Sequence, residues 1–305
     1  MLISGLGLHQ NNIVMATPFK TIALIGKYDS VEMGEAQPQL ADYLKHRGYQ
    51  VLISASANTT TTCFDQQANA DLAEIGQRAD LVIVLGGDGT ILSIARALAG
   101  YGVPLLGVNQ GRLGFLTDVP SDGMFEILAH VLNGEFIEED RLLLDTRVLR
   151  DQQEILSGCA LNDVVLSKGS TGRLIEFGAR IDGEFVYSQR SDGLVVATPT
   201  GSTAYALSAG GPILHPSLEA FILVPICAHT LAARPLVVNS HAIVELQLIH
   251  ADDARVHFDG QYHCDILIGD LVRITRAPVT VKLLHPLHYS YYRTLREKLY
   301  WGKKL

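Results

Sequence analysis

Apolar runs stopped by glycine dominate the first hundred residues. Leu81-Val82-Ile83-Val84-Leu85 halts at Gly86-Gly87, the pattern of a strand buried on both faces. Thr21–Gly26 reads the same way, and Tyr49–Ile53 and Val103–Val108 supply two more strands. Between them the spacing lengthens to that of a helix. Leu40, Tyr43 and Leu44 mark one over Gln37–His46, closed by Gly48; Asp71–Gln77 and Ile91–Ala99 mark two others. Strands alternating with helices predict a parallel sheet covered on both faces, with ligands at the carboxyl ends of its strands. Asp88 and Asn109 both fall at such ends.

Asp122–Leu132 reads as a connecting helix, and from Arg141 the pattern changes. Leu142–Arg150, Gln153–Leu156, Gly158–Val165, Leu174–Ile181, Glu184–Ser188 and Gly193–Ala197 are short strands separated by turns such as Asp182-Gly183. Val244–Leu248, Ala254–Phe258, Asp265–Ile268 and Leu271–Thr275 continue the series, and a helix starting at Thr203 interrupts it. This is the antiparallel, sandwich-like signature. The tail from His285 carries Tyr289, Tyr291, Tyr292, Leu295, Leu299 and Trp301, which predicts a helix docked on another surface. The expected divisions are a disordered extension over 1–19, an α/β domain over 20–120, a β-rich domain over 121–280 and a docking tail over 281–305. The polar segment Ser54–Asn69 is expected to be a mobile loop.

Composition narrows the function classes. Of 305 residues, 48% are hydrophobic and 18% charged, as in a globular chain with room for two cores. A net charge of -8 argues against a general nucleic-acid binder but not against a local anion site. No apolar run reaches membrane-spanning length, and Met1–Val14 lacks the basic start and apolar core of a signal peptide. Cys63, Cys159, Cys227 and Cys264 form no C-x-x-C pair, so free thiols are expected. His257, His263 and Cys264 lie close in sequence, but on a strand two of them face opposite sides, against a zinc site.

Two segments concentrate chemistry. Gly86-Gly87-Asp88-Gly89-Thr90 joins a strand to a helix, offering bare N–H groups beside a helix N-terminus where an anion is favoured. It is neither a P-loop nor the dinucleotide fingerprint. An acid where phosphates would bind is costly unless it accepts a proton or holds a metal; taken alone, the segment also reads as a tight turn. Thr198-Pro199-Thr200-Gly201-Ser202-Thr203 places four hydroxyls at a second strand-to-helix turn, with Tyr205 just inside the helix, where its ring could stack on a base. A well-capped helix fits that segment equally. Asn162-Asp163 sets an amide and an acid beside an apolar strand; it suits a nucleoside or a plain turn.

Together these segments resemble the NAD kinases. The resemblance is carried by Gly86–Thr90, Asn109-x-Gly111-x-Leu113-Gly114-Phe115-Leu116, Leu161-Asn162-Asp163, Asp192-Gly193 leading into Thr198–Tyr205, His229-Thr230-Leu231-x-x-Arg234-Pro235-Leu236-Val237, and Asp259-Gly260-Gln261. It runs from about Lys20 to the tail; the stretch before Lys20 has no counterpart. It implies an α/β nucleotide-binding domain followed by a β-rich domain, with the tail returning to the first. It implies a kinase that uses ATP, or in some members polyphosphate, to phosphorylate the 2′-hydroxyl of the adenosine ribose of NAD, giving NADP. A divalent metal, usually magnesium, is implied as cofactor, with a cytoplasmic homodimer or homotetramer as the assembly. NAD and ATP are the implied small-molecule partners, with no nucleic acid and no membrane.

By position, the resemblance implies that Asp88 is the general base and that Gly86, Gly87, Gly89 and Thr90 form the donor-phosphate loop. Asp88, Gly89, Asn162 and Asp163 would hold NAD, although many relatives have glutamate at position 163. Thr203, Ala204, Tyr205, Ala206, Leu207 and Ser208 would form the adenosine-binding segment, with Tyr205 as stacking platform. Arg173, Arg190, Asp192 and Gln261 would also contact NAD. The residues that would hold the metal are left open. Two other readings remain: a lipid or sugar kinase of the same superfamily, which the hydroxyl-rich Thr198–Tyr205 segment disfavours, and a non-catalytic NAD(P)-binding sensor, which has no use for Asp88.

Overall fold

The structure, a computed structural model, describes residues 19–26, 31–54, 70–109, 114–170 and 172–301. The expected extension up to residue 18, most of the Ser54–Asn69 loop, and Gly111 and Leu113 lie outside the described residues.

The first part alternates as expected: β1 (Thr21–Gly26), α1 (Val31–His46), β2 (Gln50–Ser54), α2 (Ala70–Arg78), β3 (Leu81–Leu85), α3 (Asp88–Leu98), β4 (Leu105–Asn109), β5 (Val119–Pro120) and α4 (Met124–Leu132). β2, β1, β3 and β4 lie side by side and run parallel. Alternate residues of each central strand enter opposite cores. Ala23, Ile25, Val82 and Val84 pack toward α2 and α3, while Ile22, Leu24, Leu81, Ile83 and Leu85 pack toward α1 and α4. This two-sided burial is why these strands read as unbroken apolar runs.

β6 (Phe136–Arg150), β7 (Gln153–Ala160), β8 (Asp163–Lys168), β9 (Ile175–Ile181), β10 (Glu184–Ser191) and β11 (Gly193–Ala197) follow. A 3₁₀ turn at Gly201–Thr203 leads into the single-turn α5 (Tyr205–Ser208). β12 (Ala220–Ile226), β13 (Leu236–Asn239), β14 (Val244–His250), β15 (Ala254–Phe258), β16 (Tyr262–Ile266), β17 (Leu271–Pro286) and α6 (Tyr291–Lys298) complete the chain. Among the described residues, β13-β12-β11-β8-β15-β16 form a separate six-stranded sheet. The remaining antiparallel strands do not form a second free sheet. They extend the parallel one, in the order β10-β9-β14-β17-β4-β3-β1-β2, with β6 and β7 alongside β17. The sandwich core lies between this extension and the six-stranded sheet, where Phe177, Val244, Leu246 and Ile274 meet Leu166, Val196, Phe221 and Phe258.

Several expectations are corrected. α3 begins at Asp88, so only Gly86-Gly87 is the turn and the acid belongs to the first helical turn. α1 begins at Val31 and carries Pro38 inside it. The segments read as Gln153–Leu156 and Gly158–Val165 are one strand that stops at Ala160 and a new one that starts at Asp163, because Leu161-Asn162 is drawn into the site described below. β12 and β13 were not anticipated. β17 runs through to Pro286, absorbing the start of the tail, and Leu283 pairs with Leu105 of β4. α6 packs through Tyr291, whose hydroxyl donates to the Leu214 carbonyl at 3.0 Å, while Lys298 lies 5.8 Å from the centre of the Phe115 ring. Cys159, fully buried, is disulfide-bonded rather than free; spacing alone does not reveal pairing between cysteines so far apart. Cys227 and Cys264 are free thiols.

Candidate active site

The carboxyl end of β3 turns at Gly86-Gly87 into the N-terminus of α3. A Cβ on Gly86 would lie 2.6 Å from Thr90 Oγ1, so Thr90 can fold over the turn only because residue 86 is glycine. A Cβ on Gly87 would meet nothing within 4 Å, so the backbone there is open to a ligand. Asp88 is held by the segment after β4. Phe115 N–H donates to its Oδ2 at 2.8 Å, Leu116 N–H to Oδ1 at 3.0 Å, and the Thr117 hydroxyl to Oδ1 at 3.2 Å. Gly114 closes the cradle: a Cβ there would sit 2.0 Å from Asp88 Oδ1. Two backbone donors and a hydroxyl fix the direction of the carboxyl group.

A second strand end faces this one. Thr198 Oγ1 donates to the Leu161 carbonyl at 2.6 Å and Thr198 N–H to the Asn162 carbonyl at 2.9 Å, stapling the hydroxyl-rich turn onto Leu161-Asn162. A Cβ on Gly201 would come within 2.0 Å of the Asn162 carbonyl oxygen. Asp259 lies beneath, accepting the N–H groups of Leu161, Asn162 and Asp163 at 3.1, 2.7 and 3.2 Å. Here a cavity of about 430 Å³ opens, lined by Asn162, Asp163, Val165, Ser167, Ala204, Tyr205, His257, Asp259 and Gly260. Tyr205 is 46% exposed and free to meet a flat ring. Burial of Asp163, with the Asp259 charge nearby, pushes its carboxyl up to about 7. Burial and the neighbouring His263 push His257 down. Another concavity, of about 360 Å³ beside Arg180, Phe185 and Glu245, contains none of the motif residues.

The two halves are bolted together. Arg96 of α3 meets Asp259 at 2.5 Å, both side chains fully buried, and Arg96 Nη2 donates to Gln261 Oε1 at 2.5 Å. Gln261 also accepts from the Ser93 hydroxyl at 3.0 Å and donates to the Gly89 carbonyl at 2.6 Å. Of the residues singled out in the sequence, Asn162, Asp163, Ala204 and Tyr205 share the cavity, and Gln261 links it to the Asp88 turn. Thr203 donates to the Thr200 carbonyl at 3.1 Å. Ala206 points into the core beneath α5, Leu207 is half-buried and Ser208 is exposed. Asp192 is paired with Lys168 at 2.7 Å, and the exposed Arg173 with Asp252 at 3.0 Å. Arg190 is exposed on β10, its carbonyl taken by His229 N–H at 2.9 Å.

The sequence reading missed Arg96 as a structural bolt and the Phe115–Thr117 cradle. The first had a signal: an arginine on the apolar face of a buried helix requires a carboxylate partner. The second had a partial one: Phe115 and Leu116 act through backbone N–H groups, which carry no residue identity, but Gly114 and the Thr117 hydroxyl stand in the sequence.

A divalent ion in phosphoryl transfer is commonly carried on the donor phosphates with one or two protein carboxylates. Among the described residues no three or more His, Cys, Asp or Glu side chains cluster as a cage. The carboxylate at the glycine turn is Asp88. This donor set fits an ion brought in with the donor.

An oriented carboxylate at a glycine-lined helix start, opposite a cavity built by another sheet, defines a phosphotransferase acting on a small nucleotide. Residues 22–136 match the ATP-NAD kinase N-terminal domain and residues 161–286 the ATP-NAD kinase C-terminal domain, so the chain belongs to the NAD kinase family. It is 54% identical over 291 residues to an NAD kinase of Thiobacillus denitrificans, covering 95% of this chain and 100% of that one. It is 52% identical to an NAD kinase of Aromatoleum aromaticum, covering 94% and 96%. An Archaeoglobus fulgidus NAD kinase solved in complex with ATP superposes with a TM-score of 0.71 at 26% identity, covering 92% of this chain and 98% of that one. A yeast NADH kinase solved with NADH shares the fold, with a TM-score of 0.81 at 23% identity, covering 95% and 90%. The enzyme is therefore an NAD kinase, transferring a phosphoryl group from ATP to NAD.

Proposed function

We propose that Asp88 is the general base that takes the proton from the 2′-hydroxyl of the adenosine ribose as that oxygen attacks the γ-phosphorus of ATP, whose bond to the β,γ-bridging oxygen breaks to release ADP. The observation that carries this is the cradle at 2.8–3.2 Å, which aims the carboxylate. A sugar hydroxyl is a weak nucleophile, and a positioned base contributes roughly 10²–10⁴-fold. Gly86, Gly87, Gly89 and Thr90 form the donor-phosphate loop: Gly87 and Gly89 offer their N–H groups at the N-terminus of α3, while the N–H groups of Gly86 and Thr90 go to the Val108 and Gly87 carbonyls and hold the turn in shape. NAD occupies the cavity, its ribose met by Asn162 and Asp163 and its adenine stacked on Tyr205, with Thr203–Ser208 alongside. Arg173, Arg190 and Asp192, which are not among the residues lining the cavity, would reach NAD from outside it, and Gln261 keeps the acceptor side in register with Gly89.

A divalent cation, magnesium being the expected one, would ride on the ATP phosphates beside Asp88, where it neutralises phosphate charge. The working form we propose is a cytoplasmic homodimer or homotetramer, divided at about residues 120 and 280. No helix among the described residues is long and apolar enough to cross a membrane.

Purified protein supplied with NAD, ATP and magnesium should form 2′-phosphorylated NAD. Asp88→Asn, which keeps the shape but not the basicity, should lower kcat at least 10²-fold, by the scale of general-base catalysis. Wild-type turnover in that variant would remove Asp88 from the role. Replacing ATP with polyphosphate tests the donor.

A further inference from the structure

A buried polar cluster joins the loop that holds Asp88 to the Thr198–Ser202 turn. At its centre is His285, near the end of β17, with its side chain 1% exposed. Its Nδ1 lies 2.9 Å from Asp118 Oδ2 and its Nε2 lies 3.1 Å from Glu139 Oε2. The second contact is off the N–H axis, an ion pair rather than an aligned hydrogen bond. Glu139 also pairs with Arg141 at 2.8 Å, and Arg141 Nη1 donates to Thr200 Oγ1 at 3.3 Å. The Tyr289 ring stacks on the imidazole at 3.9 Å. On the opposite side, Asp118 directly follows Thr117, whose hydroxyl donates to Asp88. The tether to His285 therefore fixes the end of the segment that orients Asp88.

The charge state follows from geometry. A neutral imidazole has one N–H and one lone pair, so with a carboxylate at each nitrogen the lone pair would face an anion in either tautomer. The imidazolium satisfies both sides. Burial alone would push His285 toward the neutral form, but the bonds to Asp118 and Glu139 outweigh it and hold its pKa above the ordinary value. Glu139, although buried, is held down at about 2 by His285 and Arg141. The groups facing the ring are Asp118 from the loop before β5, Glu139 and Arg141 from β6, and Tyr289 from the tail.

We propose that His285 is a positioning residue for phosphoryl transfer: clamped between Asp118 and Glu139, it keeps the loop that aims Asp88 in register with the Thr198–Ser202 turn. It is too deeply buried to meet substrate. The proposal rests on Asp88 being the base.

The test is steady-state kinetics of the full chain with NAD, ATP and magnesium for wild type, Asp88→Asn, His285→Gln, Asp118→Asn and the His285→Gln/Asp118→Asn double variant, from pH 6 to 9. Glutamine keeps a donor but no charge. The expected result in His285→Gln is a kcat loss of roughly 10–100-fold, the scale of a sub-ångström misplacement, with KM for NAD within about twofold. Adding Asp118→Asn should cost little more, since both changes break one contact. Wild-type kcat should decline on the basic side as the imidazolium is lost, and that decline should be missing from His285→Gln. Full kcat in His285→Gln, a KM rise that matches the loss, or multiplicative losses in the double variant would each overturn the proposal. Asp88→Asn separates the two readings: if it stays active, the base assignment fails; if it is inactive while His285→Gln is not, only the clamp fails. Should His285→Gln not fold, ¹⁵N NMR of the wild-type imidazole decides, a neutral ring at pH 7 overturning the proposal and an imidazolium supporting it.

Discussion

Gly114 shows how narrowly the site is built at the scale of one residue. A methyl group there would lie 2.0 Å from Asp88 Oδ1 and 2.2 Å from Thr117 Oγ1. Gly114→Ala should therefore displace the carboxylate from its cradle and lower kcat by about 10²-fold, with the circular dichroism spectrum unchanged; stopped assays for NADP read the outcome. Asp163 makes a prediction about pH. Its folded pKa, about 7, lies above the ordinary aspartate value of 3.8, so the folded state retains a proton that the unfolded chain releases. Stability tied to that proton is intact below about pH 4 and is lost as pH rises through 7, by on the order of 4 kcal/mol from the shift. Asp163→Asn should thus match wild type in urea midpoint near pH 4 and exceed it at pH 8, with weaker NAD binding. Equal midpoints at pH 8 would show that Asp163 ionises freely.

At the scale of elements, α3 both presents the base and anchors the acceptor side. Its N-terminus carries Asp88, while two turns on Arg96 reaches Asp259, which accepts the N–H groups between β7 and β8. Helix and acceptor turn are thus one rigid unit. Asp259→Asn leaves the Arg96 guanidinium buried without its counter-charge, which should cost about 3–5 kcal/mol of stability, measured by urea denaturation. It should also raise KM for NAD, because Asn162 and Asp163 lose a charged acceptor. The apolar periodicity placed β3 to the residue and the end of α3 to within one. It did not place the start of α3, because glycine and aspartate are poor interior helix formers that still serve well in a first turn. The break between β7 and β8 falls beside Asn162-Asp163, a pair that also reads as a turn, and the Thr198 staple and Asp259 decide it by pulling Leu161-Asn162 out of the strand.

For the whole molecule, β17 is the decisive element. It runs antiparallel to β6 along most of its length, then passes beside β4 of the parallel sheet. Ala277, Val281 and Leu283 complete the core under α3, and Leu284 the core on the other side. The two halves therefore share one sheet. A fragment ending at residue 136 lacks these side chains and should give poorly dispersed amide NMR signals, whereas the full chain should unfold in one transition. A well-dispersed fragment spectrum would show that the first part folds without β17.

The sequence by itself determined the alternation of strands and helices, the two-part character of the chain, and the types of residue in both motif turns. All of these follow from local periodicity and the chemistry of glycine, hydroxyl and acid at strand ends. Only the tertiary structure decided that the antiparallel strands extend the parallel sheet, that Asp88 is held by backbone N–H groups, and that Arg96, Asp259 and Gln261 lock base to acceptor. The hydrogen bonds of that lock join residues up to 172 positions apart. Pairing over such distances depends on which buried charges and carbonyls find partners when two sheets close, and no local pattern records that.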